Sequence, residues 1–283
     1  MTPLGIIAGR GGLPIHIADT CSARGEAVFV IRLEGLADPS LDRFAGIDLS
    51  LGQFGAVFEA LTEAGCERVV FGGYVIRPDF ASITFDERGQ SLLPRIIEAA
   101  GKGDNDSLSL FARIFEEEGF SVLGIKDACP EIVCPAGALT ITAPDDDVQS
   151  DLSKAWEIAG IMGREDIGQA CVVREGIVVA VEAQEGTDRM LARAATIDVD
   201  FQGAPPSQSG VLVKRAKAGQ DLRLDLPVIG PQTVERVAGA GLKGIGVEAG
   251  ASIILERGKT IAAANDKGIF IVGLTDETSG NAS

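Results

Sequence analysis

The sequence predicts an α/β chain of two domains, a parallel-sheet domain followed by one of α+β type. Three observations carry this. From Leu4 to Ile125, short apolar runs alternate with longer segments of helical period, the order in which parallel strands and crossover helices follow each other. The first run ends in Gly9, Arg10, Gly11 and Gly12, a glycine-rich turn into a helix that gives the first domain a Rossmann-like start. After the proline-spaced stretch Cys129 to Pro144 the period changes, and two strand runs fold about Glu175-Gly176. The boundary is placed near Pro135, giving domains 1–135 and 136–283, and 283 residues suffice for two cores.

Leu4 to Ala8 reads as a buried strand, and Pro14 suits the first turn of the helix from Ile15 to Arg24. A strand over 27–33, a helix over 54–65 and a strand over 68–71 continue the alternation, the last running into Gly72, Gly73 and Tyr74. A helix over 107–118, capped by Asp104 or Asp106, and a strand over 120–125 close the domain. In the second domain Asp145, Asp146 and Asp147 start a helix towards Met162, where the positive end of the helix dipole favours acids. Ala170 to Ala183 is a strand pair, helices follow at 187–195 and 231–239, and 211–216 is a strand. Residues 241–250 read as loop, 252–255, 260–264 and 268–272 as strands, and the tail from Thr275 as frayed.

A net charge of −16 opposes any phosphate backbone, so nucleic acid is excluded as a partner. The same field makes a bound cation or a local Arg/Lys cluster necessary for any phosphorylated substrate. Five cysteines without paired spacing or a neighbouring histidine argue against a zinc site and for reduced thiols. MTPLGIIAGRGG has neither a basic region nor a long apolar one, and no run approaches the ~20 apolar residues of a membrane span, so a soluble cytoplasmic chain is expected.

Chemistry gathers at strand ends. The amides of Gly9, Arg10, Gly11 and Gly12 open a helix where a phosphate can dock, and Gly72 and Gly73 can wall the same crevice, with Lys102 within reach of a phosphate. Pro14 breaks the dinucleotide glycine pattern, and Glu34, placed where such a fold puts its ribose-binding acid, reads rather as an exposed loop glutamate. In the second domain, VVAVEAQEGTDRM ends a strand in Gly186, Thr187 and Asp188, and a strand carrying Lys214 leads to Asp221 and Asp225. Strand-end acids are commonly caps or surface ion pairs. Asp225, however, sits in Leu-Asp-Leu-Pro, and a carboxylate among apolar neighbours needs a lysine or a divalent metal to stay ionised. Such a set suits phosphoryl chemistry. His16 falls inside a helix pattern, so serine and cysteine nucleophiles lack their usual base.

With EGTD at 185–188, LDLPVIG at 224–230 and LGIIAGRGGLP at 4–14, the chain resembles the UDP-2,3-diacylglucosamine pyrophosphatases of lipid A biosynthesis over nearly its whole length. The type is the two-domain, metal-dependent one unrelated to the calcineurin-like enzymes. The resemblance implies hydrolysis of UDP-2,3-diacylglucosamine to UMP and 2,3-diacylglucosamine 1-phosphate (lipid X), assisted by Mg2+ or another divalent cation, in a ligand cleft between the domains. It makes Asp225 the principal catalytic carboxylate, as metal ligand or as base, with Asp188 a second metal ligand and Lys214 a stabiliser of phosphoryl charge. Gly9, Arg10, Gly11, Gly12, Gly72, Gly73, Gln169, Thr187 and Asp188 are the expected substrate contacts. A diacylated substrate implies transient peripheral contact with the inner membrane surface, and a homodimer is left open. An NAD(P)-binding oxidoreductase and a non-catalytic nucleotide-sugar sensor are the alternatives.

Overall fold

The computed structural model describes residues 2–75, 82–101, 104–202, 208–219 and 221–279. The chain forms two compact units: Met1–Glu131 with Asp221–Asp225, and Ile132–Gln220 with Leu226–Ser283. The first break thus falls four residues before the expected Pro135, and five residues of the later chain return to the first unit.

The first unit runs β1 (Leu4–Ala8), α1 (Leu13–Ala23), β2 (Val28–Leu33), a 3₁₀ turn (Pro39–Arg43), β3 (Gly46–Leu49), α2 (Phe54–Glu63), β4 (Arg68–Gly72), α3 (Glu87–Ala100), α4 (Asp104–Glu117), β5 (Ser121–Leu123) and α5 (Ile125–Ala128). Among the described residues its sheet has the order β3-β2-β1-β4-β5, every pair parallel. The order reverses between β1 and β4, the switch point at which doubly wound sheets bind ligands. All five residues of β1 are buried, because a central parallel strand is covered on both faces and needs an unbroken apolar run.

Two elements depart from the sequence expectation. Strand β3, Gly-Ile-Asp-Leu, has two exposed residues at the sheet edge, so it lacks an apolar run. Helix α3 carries Gly89 and Pro94 within ERGQSLLPRIIEAA, a composition that does not announce a helix. It forms because Asp86 caps it, accepting from the Gly89 amide at 2.7 Å, and because Leu92, Ile96 and Ala99 bury one face at helical spacing. The core centres on Phe115, whose ring meets Phe58 edge-on at 5.1 Å and Phe71 at 5.0 Å.

The second unit runs β6 (Gly137–Ala138), α6 (Asp146–Arg164), β7 (Ala170–Arg174), β8 (Ile177–Val181), α7 (Gly186–Gln202), β9 (Val211–Lys214), β10 (Val228–Ile229), α8 (Pro231–Gly239), β11 (Gly244–Glu248), β12 (Ile253–Ile254), α9 (Arg257–Asp266), β13 (Phe270–Leu274) and α10 (Asp276–Ser279). Its six-stranded sheet is mixed, in the order β6-β13-β11-β9-β7-β8, with β13, β11 and β9 parallel and β6 and β7 antiparallel to them. Strands β10 and β12 pair apart from it. The β7–β8 turn takes Glu175 and Gly176 to φ of 49° and 72°, and the buried Asp151 carboxylate accepts from both their amides at 3.0 and 2.7 Å.

Here too the structure corrects the sequence. Residues 241–250 contain the central strand β11: a Cβ on Gly244 would lie 2.2 Å from the Phe270 ring and one on Gly246 2.7 Å from Leu274, so these glycines serve close packing. Residues 260–264 are helical, since the alanines of Thr-Ile-Ala-Ala-Ala are strong helix formers. Of the tail expected to fray, Asp276–Ser279 form α10, and residues 280–283 lie outside the described residues. Among the described residues no helix is long and apolar enough to cross a membrane.

Candidate functional site

In the first unit the turns after β1 and β4 are zipped together. The Gly9 amide donates to the Gly72 carbonyl at 2.9 Å, Arg10 to Tyr74 at 2.9 Å, and Tyr74 back to Arg10 at 3.1 Å. Only glycine permits this approach. A Cβ on Gly73, at φ 82°, would sit 2.3 Å from the Arg10 carbonyl, and one on Gly9 2.8 Å from that of Tyr74. Gly11 also has positive φ, and Gly12 forms the N-cap of α1 with open space around its Cα. The Arg10 guanidinium bonds back to the Gly35 carbonyl at 3.4 Å.

These turns border a cavity of about 430 Å³. Its walls are apolar, with Ile7 of β1, Leu33 of β2, Phe54 of α2, Phe71 of β4, and Phe111 and Phe115 of α4. Gly9, Gly72, Gly73 and Asp225 line it as well, so the structure unites four of the residues picked out in the sequence. Arg10, Gly11 and Gly12 are not among its lining residues. Lys102 lies outside the described residues.

Asp225 reaches the cavity through the returning segment Asp221–Asp225. Leu224 is buried in the first unit's core, and the Leu224 and Asp225 amides turn back onto the Asp221 carbonyl at 2.9 and 3.3 Å. Arg223 clamps the turn, donating to the Asp221 carboxylate at 2.7 Å and to Glu116 of α4 at 2.7 Å. The Arg223 guanidinium, aided by the Arg223 amide, holds the Asp221 carboxyl below the usual aspartate range. A depressed folded-state value stabilises the turn above the unfolded-state value and is lost as pH falls through the folded one. The clamp is therefore expected to release below about pH 4. Amide exchange of residues 221–225 followed against pH checks this. Acceleration there should be absent in Asp221→Asn, which lacks the titrating group.

In the second unit, β8, β9 and β11 run in one direction and end in Val181, Lys214 and Glu248, so their carboxyl ends share one sheet edge. Glu182, directly after β8, is 6% exposed and accepts from the Thr187 hydroxyl at 2.9 Å and the Gln169 amide at 3.4 Å. The Gln169 carbonyl accepts from the Arg215 amide at 2.9 Å, and Ala170 pairs with Lys214 across β7 and β9. Gln169 and Thr187 therefore meet at Glu182, with Lys214 on the far side of Ala170. Lys214 is 5% exposed and donates to the Val228 carbonyl at 3.0 Å. Asp188 lies outside this group, its exposed carboxylate paired with Arg236 at 2.9 Å. Glu248 accepts from the Ala216 amide at 2.8 Å, and burial raises its carboxyl above the ordinary range.

Glu182 and Glu248 are residues that sequence reasoning missed. Each is a single acid closing an apolar strand run, Ile-Val-Val-Ala-Val-Glu and Gly-Ile-Gly-Val-Glu, and that was the available signal. Among the described residues no group of three or more His, Cys, Asp or Glu side chains is placed to hold a metal.

Models of two known domains match this chain: the LpxI N-terminal domain over residues 3–132 and the LpxI C-terminal domain over residues 135–272. The chain belongs to the LpxI family. The LpxI domains meet close to the break after Glu131, whereas Asp221–Asp225, inside the span matched by the LpxI C-terminal domain, belongs structurally with the first unit. A relative from Caulobacter vibrioides, named UDP-2,3-diacylglucosamine pyrophosphatase LpxI, is 46% identical over 274 residues, 97% of this chain and 98% of its own. The biotin carboxylase domain of Hydrogenobacter thermophilus 2-oxoglutarate carboxylase aligns over 75% of this LpxI chain and 44% of its own at 16% identity, with a TM-score of 0.25, too low to bear on fold.

Proposed function

We infer that this LpxI chain hydrolyses the pyrophosphate bond of UDP-2,3-diacylglucosamine in lipid A biosynthesis. The observation that carries the reading is the 46% identity to the Caulobacter vibrioides pyrophosphatase across both domains. The first unit supplies a physical rationale. A diacylated sugar diphosphate needs apolar walls for its chains and a cation to face its phosphates. The 430 Å³ cavity has aromatic and aliphatic walls, and in Asp225 the one carboxylate among its described lining residues, a group that would hold such a cation.

In the reaction, water oxygen bonds to one phosphorus, the bridging P–O bond breaks, and UMP and 2,3-diacylglucosamine 1-phosphate leave as two phosphate monoesters. Asp225 acts on the water proton or holds a divalent cation, Lys214 offsets phosphoryl charge, and Thr187 and Gln169 orient the substrate. Asp225 fits Mg2+ in kind, because that ion is commonly held by one or two carboxylates together with substrate phosphates. Asp188, whose exposed carboxylate pairs with Arg236, is the second candidate ligand. Bound at Asp225, the cation would neutralise charge on the diphosphate of a substrate facing a protein of net charge −16. The two acyl chains bring the chain into transient contact with a membrane surface.

Phosphorus NMR of UDP-2,3-diacylglucosamine tests the reading. The diphosphate resonances should give way to two monoester resonances, more slowly with a chelator and at the original rate once Mg2+ is restored. Intact diphosphate with the wild-type chain would leave a nucleotide-sugar sensor as the better account. Hydrolysis indifferent to the chelator would remove the cation alone.

A further inference from the structure

The Thr187–Glu182 hydrogen bond fixes something that a list of site residues does not: the direction in which Thr187 can bond a ligand. Glu182 is 6% exposed, and its Oε1 accepts from the Thr187 hydroxyl at 2.9 Å while Oε2 accepts from the Gln169 backbone N–H at 3.4 Å. A hydroxyl has one proton and two acceptor lone pairs. With the proton committed to Glu182, a half-buried Thr187 offers a ligand lone pairs only. Gln169, whose backbone amide meets the same Glu182 carboxylate, carries a buried side-chain Oε1 with no hydrogen-bond partner, a second acceptor awaiting a donor. Two acceptors cannot bind a phosphate, which is itself acceptor-only. They match the donor-bearing parts of a nucleotide sugar, an imide or amide N–H or a sugar O–H.

We propose that Glu182 is a positioning residue which, by holding the Thr187 hydrogen, leaves Thr187 an acceptor, as Gln169 Oε1 already is, for an N–H or O–H of the substrate, so that this edge of the second unit reads substrate identity rather than phosphate charge. The proposal rests on the pyrophosphatase reading and extends it to a residue with no role there. Glu182 acts through Thr187. In Glu182→Gln the new amide can donate to Thr187, and the hydroxyl proton is released to face the ligand, inverting the polarity of the contact.

Steady-state kinetics on UDP-2,3-diacylglucosamine tests it. Thr187→Val and Glu182→Gln are each expected to raise KM roughly tenfold with kcat changed less than about twofold, since each removes one ground-state hydrogen bond. The double variant should match the single ones, because the second change finds nothing left to remove. Thr187→Ser, which keeps the hydroxyl, should restore wild-type KM. Additive effects, a fall in kcat at unchanged KM, or a lower melting temperature with unchanged KM would overturn the proposal and leave the pyrophosphatase reading intact. No hydrolysis by the wild-type chain would overturn both. Calorimetry of the Thr187→Val chain, a change that spares the buried acid, locates the donor. Weakened binding of UMP places it on the uridine, in the uracil N–H or a ribose O–H, and weakened binding of the diacylated sugar phosphate with UMP unaffected places it on the glucosamine. If neither product binds more weakly, no donor is read at this edge and the proposal fails.

Discussion

Asp225→Asn is expected to lower kcat by roughly 10²–10⁴-fold, the range for loss of a positioned proton-transfer group, with KM within about threefold of wild type. The substitution keeps the shape of the side chain and removes its charge. The local fold should persist, because the Asp221–Asp225 turn is held by Leu224 in the core, by backbone bonds to Asp221 and by the Arg223 clamp. Single-turnover UMP release, read beside thermal melting, separates lost chemistry from lost structure. An Asp225→Asn chain that melts normally and turns over at the wild-type rate would remove Asp225 from the reaction.

Phe115→Ala is expected to cost about 3–5 kcal/mol, the range for deleting a fully buried ring that its surroundings cannot refill. Phe115 is 3% exposed, and its ring joins α4 to α2 and β4 through Phe58 and Phe71. Domains retain only about 5–15 kcal/mol in all, so the first unit would lose a large part of its margin. The lone tryptophan, Trp156, lies in the second unit and reports on that unit. Hydrogen exchange in β1 and β4 should therefore accelerate strongly while the denaturation midpoint read from Trp156 fluorescence moves less. Unchanged exchange in β1 would mean that the aromatic cluster contributes little.

What could be read from the sequence was what is local. The alternation up to Leu123, the glycine turn after β1, the hairpin about Glu175-Gly176 and the helix from Pro231 each depend on neighbours in the chain, and each is present. Strand β11 escapes such a reading because Gly244 and Gly246 look like loop residues until Phe270 and Leu274, more than 20 residues on, are known to press against them. Helix α3 escapes it because its stability comes from a cap and a packed face that outweigh Gly89 and Pro94. The site follows the same division. Gly9 and Asp225 could each be singled out, but their sharing a cavity depends on a segment that returns to a unit it left at Glu131. Glu182 became visible only through its buried bond to Thr187.

That return governs how the molecule can be made and divided. The polypeptide passes from one unit to the other after Glu131, Gln220 and Asp225, so neither unit corresponds to one uninterrupted stretch of message. A ribosome that has released residue 131 has yet to supply Leu224, and the earlier half must wait for nearly a hundred further codons before its interior is complete.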